Sequence, residues 1–439
     1  MSIAVLMDYC YLEEKLMNIL NLSHYYFPEK ISSSHLTEDL EDAYIEAGLD
    51  FIIHAPIPTR GISKKTYNEY KRKKEYTLKD GHIKVNRFYM FREAKNPILR
   101  TVRYIMTNFI QYQKGCIEKD VDIIIAASTP PTQGILCSLV REKISKKRGE
   151  HIPFLYSLQD VFPESLVTAG LTKKGSLLWN IGRKMESYIY HHADIIVVIS
   201  QDIKENILAK GVPENKIRVV RNWIDTKAVH PVRSEDNGLI RELGLRRDTF
   251  KVVYAGNLGR AQGVQVIIDV AEKLKNKQRI EFIIFGNGVE EEKLKCRIAK
   301  KRLSNINIYP LQASERVSEV YSLGDVCVVT CKKGAGKGAF PSKTVSIMAT
   351  ATPVIAAFDE DSELCKTIIQ HECGIVLEPE NSDKLADAIL ELAWDEKRII
   401  NMGKKGRSLV EREFSKRKCT SDYVDIVKEL IGKEKRSKN

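Results

Sequence analysis

The sequence lacks several patterns that would place it in a familiar class of protein. Its nine cysteines are scattered without a CxxC pair, which argues against a disulfide framework or a zinc site and favours a reducing compartment. No apolar run reaches the roughly 18–20 residues that a membrane-spanning helix needs. Residues 1–16 have neither a basic start nor a cleavage site, so we expect no secretory signal, and Met17 begins a far better strand.

Positive charge is what the chain has in excess. Lys and Arg number 70 against 58 Asp and Glu, a net charge of +12, which favours anionic partners such as phosphates, nucleic acid or a membrane face. Two basic runs, at 64–74 and 141–148, hold part of this excess, although any single run is more often a solvated helix face. Nucleic acid is the weakest alternative, because no binding module or aromatic strip is present.

Short apolar runs alternate with amphipathic stretches along the whole chain. This alternation is typical of parallel sheets covered by helices on both faces, and 439 residues exceed one ordinary core. The predicted strands are 16–23, 49–55, 121–128, 153–158 and 193–200, then 251–256, 281–286, 306–310, 325–330, 353–358 and 374–379. The predicted fold is therefore α/β, with two Rossmann-like, doubly wound parallel-sheet lobes facing each other across a cleft.

A polar stretch broken by Pro and Gly, around 225–248, marks the crossing between the lobes. We predict a first lobe over 17–230, a linker over 231–249 and a second lobe over 250–410. A C-terminal helix with a basic tail, over 411–439, is expected to pack back towards the first lobe. Since ligands of such lobes lie beyond the C-terminal ends of the strands, the site is sought in the strand-to-helix loops.

Two loops of the second lobe are rich in glycine. AGNLGRAQG, at 255–263, follows a predicted strand; its glycines let the backbone approach a ligand, and Arg260 adds a fixed charge. FGNG, at 285–288, follows the next strand. Each loop alone is also compatible with a tight turn, and neither is the GxGxxG dinucleotide fingerprint.

The third loop, GKGAFPSKTVSIMATATPV at 336–354, has no acidic residue. Pro341 suits the first turn of a helix. The positive end of that helix, with Ser342 and Lys343, would make a seat for a diphosphate. A bound phosphate would explain the missing counter-charge, whereas the alternative is a buried helix with an exposed lysine. Three such loops in one lobe favour a ligand site.

A metal site is a weaker alternative. The Asp-x-Asp pattern in FDEDSE, at 358–363, could hold a divalent cation, but acidic residues also suit a helix N-terminus with Ser362 as its cap. His191 and His192 end a predicted helix and have no spaced Cys or Asp partner. We therefore expect no metal and no cofactor.

Taken together, these residues resemble a family-4 glycosyltransferase with the GT-B fold, over about residues 17 to 430. The stretches that carry the resemblance are 191–225, 252–268 and 340–356, with shorter similarity in HYYFPEK at 24–30 and LQDVFPESLVTAG at 158–170. The quartet NWID at 222–225 and the Pro-Ser-Lys motif at 341–343 resemble a bacterial branch that builds capsule, O-antigen and exopolysaccharide units.

The resemblance implies that the second lobe binds a nucleotide sugar and the first lobe the acceptor. Arg260 and Lys343 would stabilise the leaving diphosphate, and Asp160 would orient the acceptor hydroxyl or act as a base. A helix N-cap is the alternative role for Asp160. The implied donor-binding residues are Gly256, Asn257, Gly259, Gly286, Asn287, Gly288, Pro341, Ser342 and Ser346. The implied acceptor-side residues are His24, Glu29 and Ser33.

The same resemblance implies a retaining reaction without a metal, most often from a UDP-sugar, with an N-acetylated amino sugar among the donors. The acceptor would be a saccharide on a lipid diphosphate. The two basic runs would then draw the acceptor lobe to the anionic inner face of the plasma membrane. We therefore expect a cytoplasmic, peripherally membrane-bound hexosyltransferase or N-acetylhexosaminyltransferase.

The sequence departs from the family at the third loop. Many members carry two glutamates with seven residues between them, where this chain has Gly338 and Ser346, and a basic residue near Gln262 is often present. Two rival functions stay open on the residues alone. A sugar-nucleotide 2-epimerase would need acid and base groups, of which the second lobe offers few beyond Glu363. A catalytically degenerate, nucleotide-binding or scaffolding member would bind nucleotide weakly or not at all.

Overall fold

The computed structural model describes residues 17–29, 34–92, 97–168, 171–336 and 340–436. They form two compact units that each draw on separate stretches of chain. The first unit contains the described residues up to Val198, then Leu208–Arg218 and the residues from Thr420 onward, and the second contains Ile199–Ile207 and Val219–Cys419. This division differs from the predicted domains, because the end of the predicted first lobe and the whole predicted linker group with the second unit.

The first sheet has eight strands in the described residues, in the order β3-β4-β2-β1-β5-β6-β7-β8. They are β1 (Met17–Leu22), β2 (Leu49–Pro56), β3 (Glu75–Leu78), β4 (Ile83–Phe88), β5 (Ile123–Ala127), β6 (Phe154–Leu158), β7 (Ile195–Val198) and β8 (Ile217–Val219). The helices among them are α1 (Ser34–Glu46), α2 (Lys64–Arg72), α3 (Pro97–Gly115), α4 (Gln133–Arg148), α5 (Glu164–Thr168), α6 (Leu177–His192) and α7 (Gln201–Leu208).

All five strands predicted in the first half are confirmed, and the pairings from β4 across to β7 are parallel. The sequence analysis missed β3, β4 and β8. The first two form an antiparallel hairpin at the sheet edge, turned by Asp80 at a φ of 55°. The edge strand β3, EYTL, mixes polar with apolar residues because it exposes one side to water, whereas β4, IKVNRF, is paired on both sides and buries its polar Asn86 and Arg87.

The second sheet, in the part of the chain that the structure describes, has six parallel strands in the order β11-β10-β9-β12-β13-β14. They are β9 (Phe250–Ala255), β10 (Ile280–Phe285), β11 (Ile306–Tyr309), β12 (Val326–Thr330), β13 (Val354–Ala357) and β14 (Gly374–Leu377), all predicted. The helices are α8 (Gly238–Glu242), α9 (Gln265–Lys273), α10 (Glu291–Lys301), α11 (Val317–Ser322), α12 (Ser342–Ala349), α13 (Glu363–His371), α14 (Ser382–Leu392), α15 (Glu396–Leu409) and α16 (Lys416–Arg436).

The central strands of the second sheet are apolar without alternation because both of their faces are buried. Val253 and Ile283 belong to the core on one side of the sheet, and their neighbours Val252 and Phe282 belong to the core on the other side. Parallel strands covered by helices on both faces have this continuous apolar character. The same property made these strands visible in the sequence.

Helix α7 belongs to the second unit because its first turn is capped by Glu363 of α13. The Glu363 Oε2 accepts hydrogen bonds from the backbone N–H groups of Gln201 at 2.7 Å and Asp202 at 3.4 Å. In return the Asp202 carboxylate accepts from the Glu363 N–H at 3.2 Å. Arg221 forms an ion pair with the same buried Glu363. The unpaired donors at both helix starts are thereby satisfied.

The last helix, α16, joins the first unit from Thr420 onward. The Tyr423 hydroxyl lies 3.0 Å from the hydroxyl of Ser157 on β6, in buried surroundings. Arg218, at β8, lies 3.7 Å from Glu429. These contacts place the C-terminal helix against the parallel sheet of the first unit.

Candidate active site

The second sheet reverses its chain order between β9 and β12. Moving outward from this point, one half of the sheet runs through β10 and β11 and the other through β13 and β14. Loops that follow the two strands at such a switch point diverge to opposite faces of the sheet and leave a crevice, which is where ligands bind in open parallel sheets. Both the first and the third glycine-containing loops lie here, after β9 and β12.

The first two loops pack against each other through glycines. The Gly256 N–H donates to the Phe285 carbonyl at 2.9 Å, and the Leu258 N–H donates to the Asn287 carbonyl at 2.8 Å. Gly256 and Gly288 have φ values of 139° and 155°, which side chains rarely allow. A Cβ atom at Gly286 would stand 2.3 Å from the Gly256 carbonyl oxygen. At the ends of β9 and β10 the two loops are thus closely packed, and their glycines present backbone without side chains.

The Lys343 side chain, at the end of the third loop, lies against the first loop. Its Nζ is buried, lies 4.1 Å from the centre of the Tyr254 ring, and would be 2.9 Å from a Cβ atom at Gly256. Among the described residues the Nζ has no hydrogen-bond partner, and burial lowers the pKa of the amine to about 8. A buried, unpaired ammonium group is costly unless a ligand supplies its counter-charge.

Helix α12 opens at the same place. Pro341 precedes it directly, and no side chain in the described residues caps its first turn. Ser342 is exposed, and Ser346 lies one turn after Lys343 and is half-buried. Free N–H groups at a helix start attract anions. The proposed phosphate seat thus combines a helix start with the Lys343 ammonium group.

Arg260 lies at the rim rather than inside this arrangement. Its side chain is 82% exposed, and its Nε is 3.6 Å from a carboxylate oxygen of Glu290. Gly259, beside it, lies against the Asn257 side chain: a Cβ atom there would be 3.0 Å from the Asn257 Nδ2. Of the predicted residues around the donor loops, those at 256–257, 286–288 and 343 are therefore together, while Arg260 needs a change of rotamer to reach them.

Asp359 shapes the third loop, a role that the sequence analysis missed. Its two carboxylate oxygens accept hydrogen bonds from the backbone N–H groups of Gly334 at 2.9 Å and Gly336 at 2.8 Å. The following Ser362 caps α13 as predicted, accepting from the Cys365 N–H at 3.3 Å. No cluster of three His, Cys, Asp or Glu residues arranged for a metal ion occurs in the described ranges. Gly338 lies outside the described residues.

The first sheet has its own switch point, between β1 and β5, and His24 lies there. The His24 Nδ1 is 2.8 Å from the Oε1 of Gln133, at the start of α4, so one hydrogen bond joins the two loops. Burial lowers the pKa of His24 to about 4, so the ring is neutral near pH 7 and its Nε2 carries a lone pair. The Tyr104 ring packs edge-on at 5.2 Å.

Glu29 is buried in the same loop as His24 and binds the backbone of the segment that follows β2. Its Oε1 accepts hydrogen bonds from the N–H groups of Thr59 at 2.7 Å and Arg60 at 2.8 Å. Burial raises the pKa of the Glu29 carboxyl, opposed by these N–H groups and by the positive charge of Arg103. Arg103 is fully buried and was missed, because a lone Arg within an apolar helix pattern carries no sequence signal. Ser33, the third acceptor-side residue, lies outside the described residues.

Asp160 is exposed at the C-terminal end of β6. Its backbone N–H donates to the Ser128 hydroxyl, which follows β5, at 3.3 Å. The next helix, α5, starts only at Glu164, so the alternative role of Asp160 as a helix N-cap is wrong. Its carboxylate makes no hydrogen bond or ion pair within the described part of the chain and is free to meet a ligand.

Two protein-family models match this chain. The description "Glycosyltransferase Family 4" matches residues 37–228, and "Glycosyl transferases group 1" matches residues 237–409. The chain is 25% identical over 315 residues to the probable glycosyltransferase WbjE of Pseudomonas aeruginosa, covering 72% of this chain and 76% of that protein. It is also 25% identical over 281 residues to the putative colanic acid biosynthesis glycosyl transferase WcaI of Escherichia coli K12, covering 63% and 66%.

Solved structures agree with this assignment at the level of the fold. Sucrose-phosphate synthase from Thermosynechococcus elongatus superposes with a TM-score of 0.70 at 17% identity, covering 95% of this chain and 99% of that one. HepE from Anabaena, solved in complex with UDP, superposes with a TM-score of 0.67 at 15% identity, covering 94% and 100%. The two parallel-sheet units, the two matched models and these relatives together show that the chain belongs to the family-4 glycosyltransferases, enzymes with the GT-B fold.

Proposed function

We propose that this enzyme transfers a sugar from a nucleoside diphosphate, with UDP the expected nucleotide, to a saccharide carried on a lipid diphosphate. The buried Lys343 amine, at the switch point of the second sheet beside two bare glycine loops, is the observation that carries the donor half of this proposal. A diphosphate would pair with the amine and with the start of α12. The structural neighbour HepE was solved with UDP and with UDP-glucose, which supports the choice of nucleotide.

The proposed reaction retains the configuration at the anomeric carbon and uses no metal ion. The bond from the anomeric carbon to the β-phosphate oxygen breaks, and the acceptor oxygen bonds to the same face of the sugar. Negative charge grows on the leaving phosphate, where Lys343, the helix start and an inward-turned Arg260 would stabilise it. The acceptor proton passes to that phosphate or to Asp160, whose exposed carboxylate makes no other bond in the described residues.

The acceptor would bind at the switch point of the first sheet. His24 and Gln133 join its two sides, Glu29 shapes the loop that follows β1, and Asp160 stands at the end of β6. The Nε2 of neutral His24 is buried and has no hydrogen-bond partner among the described residues, so a sugar hydroxyl would have to enter this buried position to donate to it. An acceptor on a lipid diphosphate is what the resemblance carried by residues 222–225 and 341–343 implies, and the name of one relative above refers to the biosynthesis of colanic acid.

The epimerase alternative finds no support in the site. The acid that it would most readily use, Glu363, has both carboxylate oxygens engaged, one with Arg221 and one with the first turn of α7. Its role is structural, and a group so held is a poor proton donor or acceptor for a substrate. We therefore propose the transferase reaction alone.

A two-stage experiment tests this function. Thermal shifts with UDP, GDP, ADP and NAD, each with EDTA and with magnesium, identify the nucleotide; we expect a shift by one nucleoside diphosphate in EDTA, absent in Lys343→Ala and kept in Lys366→Ala. Lys366 is an exposed lysine on α13 and serves as the matched control. UDP-sugars with a short-chain lipid-diphosphate saccharide then test transfer, and NMR of the product gives its anomeric configuration.

Three results would contradict the proposal. A shift that needs magnesium would contradict metal independence, and a shift by no nucleotide would contradict the donor site. An inverted product would contradict the retaining mechanism. For Asp160→Asn we expect a fall in kcat of about 10²-fold or more, with unchanged nucleotide affinity, and an unchanged kcat would remove Asp160 from the chemistry.

A further inference from the structure

Helix α3 buries polar side chains and exposes apolar ones, which is the reverse of a normal surface helix. Its side chains Arg103, Thr107 and Gln111 follow one another at four-residue spacing, and all three are fully buried. The opposite side of the helix is apolar and exposed, at Val102, Ile105, Met106 and Phe109. A surface helix of a globular protein normally buries its apolar side. A single exposed apolar residue needs no explanation, but four on one helix side indicate a partner surface.

The surroundings of this apolar side are basic. Helix α3 has no acidic residue, although its own basic residues, Arg100, Arg103 and Lys114, lie on the buried side of the helix. On the adjacent α4, the residues Leu139, Lys143 and Lys147 are exposed at four-residue spacing.

The end of α3 packs on α4, where a Cβ atom at Gly115 would stand 3.0 Å from the Cγ1 of Val140. Burial raises the pKa of the neighbouring Cys116 thiol, while a hydrogen bond with Tyr112 and the charges of Lys143 and Lys147 act in the opposite direction. One acidic side chain, the exposed Glu142, lies in the same stretch of α4, with its Oε1 2.8 Å from the Nε2 of His192.

The buried side of α3 holds the loop that follows β1. The Gln111 Nε2 donates to the carbonyls of Ser23 at 2.8 Å and His54 at 2.9 Å. The Tyr104 hydroxyl lies 3.0 Å from the Tyr25 hydroxyl, and its ring packs on His24. One helix therefore has the proposed acceptor loop on its inner side and an exposed apolar surface on its outer side.

We infer that the exposed side of α3, with Lys143 and Lys147 of α4, is the surface that docks this enzyme on an anionic lipid bilayer. Apolar side chains that enter the headgroup boundary beside lysines that meet anionic lipid are the features of interfacial helices. A second copy of the chain fits less well, because two identical basic surfaces would face each other. The inference rests on the proposed function: a lipid-linked acceptor would reach the loop at His24 along the same helix.

Vesicle flotation without any substrate tests the surface. Wild type is compared on phosphatidylcholine vesicles with and without phosphatidylglycerol, at low and high salt. The double variant Ile105→Gln, Phe109→Gln should lose about tenfold or more in partitioning at either salt concentration, because it removes the apolar contact. Its matched control, Ile369→Gln, Trp394→Gln, changes two exposed apolar residues of the other unit and should bind like wild type.

A double lysine variant measures the electrostatic contribution to vesicle binding. Lys143→Gln, Lys147→Gln should lose about fivefold per lysine on anionic vesicles at low salt and nothing on neutral ones. Lys275→Gln, Lys277→Gln, which changes two exposed lysines of the second unit, is the charge-matched control.

The inference is overturned by any of three outcomes. Wild type could fail to float, the Ile105 and Phe109 variant could float like wild type, or light scattering could show a dimer that this variant dissociates. A nucleotide thermal shift on the same samples keeps the two proposals apart. Flotation without a thermal shift would support the docking surface and contradict the donor site. A thermal shift without flotation would support the donor site and contradict the docking surface.

Discussion

The protonation of Lys343 makes the sharpest prediction of the donor site. Burial lowers the pKa of its amine to about 8 in the free protein, so the group is about nine-tenths charged at pH 7. A bound diphosphate favours the charged form and restores the pKa towards its ordinary value of 10.5. Nucleotide affinity should therefore be flat below about pH 7.5 and fall up to about tenfold for each pH unit above 8. If the pKa is restored fully, the coupling is worth up to about 3 kcal/mol.

Isothermal titration with the nucleotide found in the thermal-shift panel, from about pH 7 to about pH 9.5, measures this slope. The phosphate itself adds no slope there, since its second pKa is near 6. Lys343→Met keeps the packing on Tyr254 but carries no charge, so its affinity should be lower by about 10- to 100-fold at pH 7 and independent of pH. Lys366→Ala should retain the wild-type slope.

Stability should move in the opposite direction to affinity. The unfolded chain holds the Lys343 proton more tightly than the folded one, so the free energy of unfolding of wild type should rise with pH, relative to Lys343→Met, between about pH 8 and pH 10.5. At pH 7 the Met variant should be at least as stable as wild type, because it removes an unpaired buried charge. A wild-type affinity that stays flat to about pH 9.5, or a Met variant with the wild-type slope, would refute this reasoning.

Three further substitutions test the framework around the site. Asp359→Asn removes the charge of the carboxylate that binds the backbone of the third loop. We expect the free energy of unfolding in urea to fall by about 1–3 kcal/mol and nucleotide binding to weaken. Unchanged nucleotide binding would show that the third loop does not contact the donor. Glu363→Ala leaves Arg221 unpaired and two helix starts uncapped, so stability should fall by about 3–5 kcal/mol, and a loss below 1 would show that the pair is not buried as described. Ala351→Gly should raise stability by about 0.5–1 kcal/mol, because Ala351 has a φ of 55°; a loss of stability would mean that the residue is not strained.

The sequence determined the parts of this protein that depend on local pattern. Strands buried on both faces are continuous apolar segments, so the strands of the second sheet and five of the first could be read directly. Glycine loops and Pro341 mark strand ends and a helix start through the backbone alone. The strands β3 and β4 were not predicted, because their sequences are half polar.

Tertiary structure decided what each charged side chain does. Lys343 could have been an exposed helix residue, and only the approach of β9 places its amine over Tyr254, buried and without a partner among the described residues. Glu363 and Asp359 were equally open as acids or metal ligands until the fold supplied Arg221 and the N–H groups that they bind. The role of a charge depends on partners that are distant in the chain, and the local sequence does not contain them.

The same reason explains α3. Its sequence is that of an amphipathic helix whose apolar side should face the core. The fold instead turns Arg103 inward to the Phe91 carbonyl, after β4, and Gln111 to the carbonyls of Ser23, after β1, and of His54, on β2. The sequence alone determined that this segment is a helix with two unlike sides. Which side faces water was decided by the fold, because buried polar groups need partners and the backbone carbonyls after β1, on β2 and after β4 accept from Arg103 and Gln111.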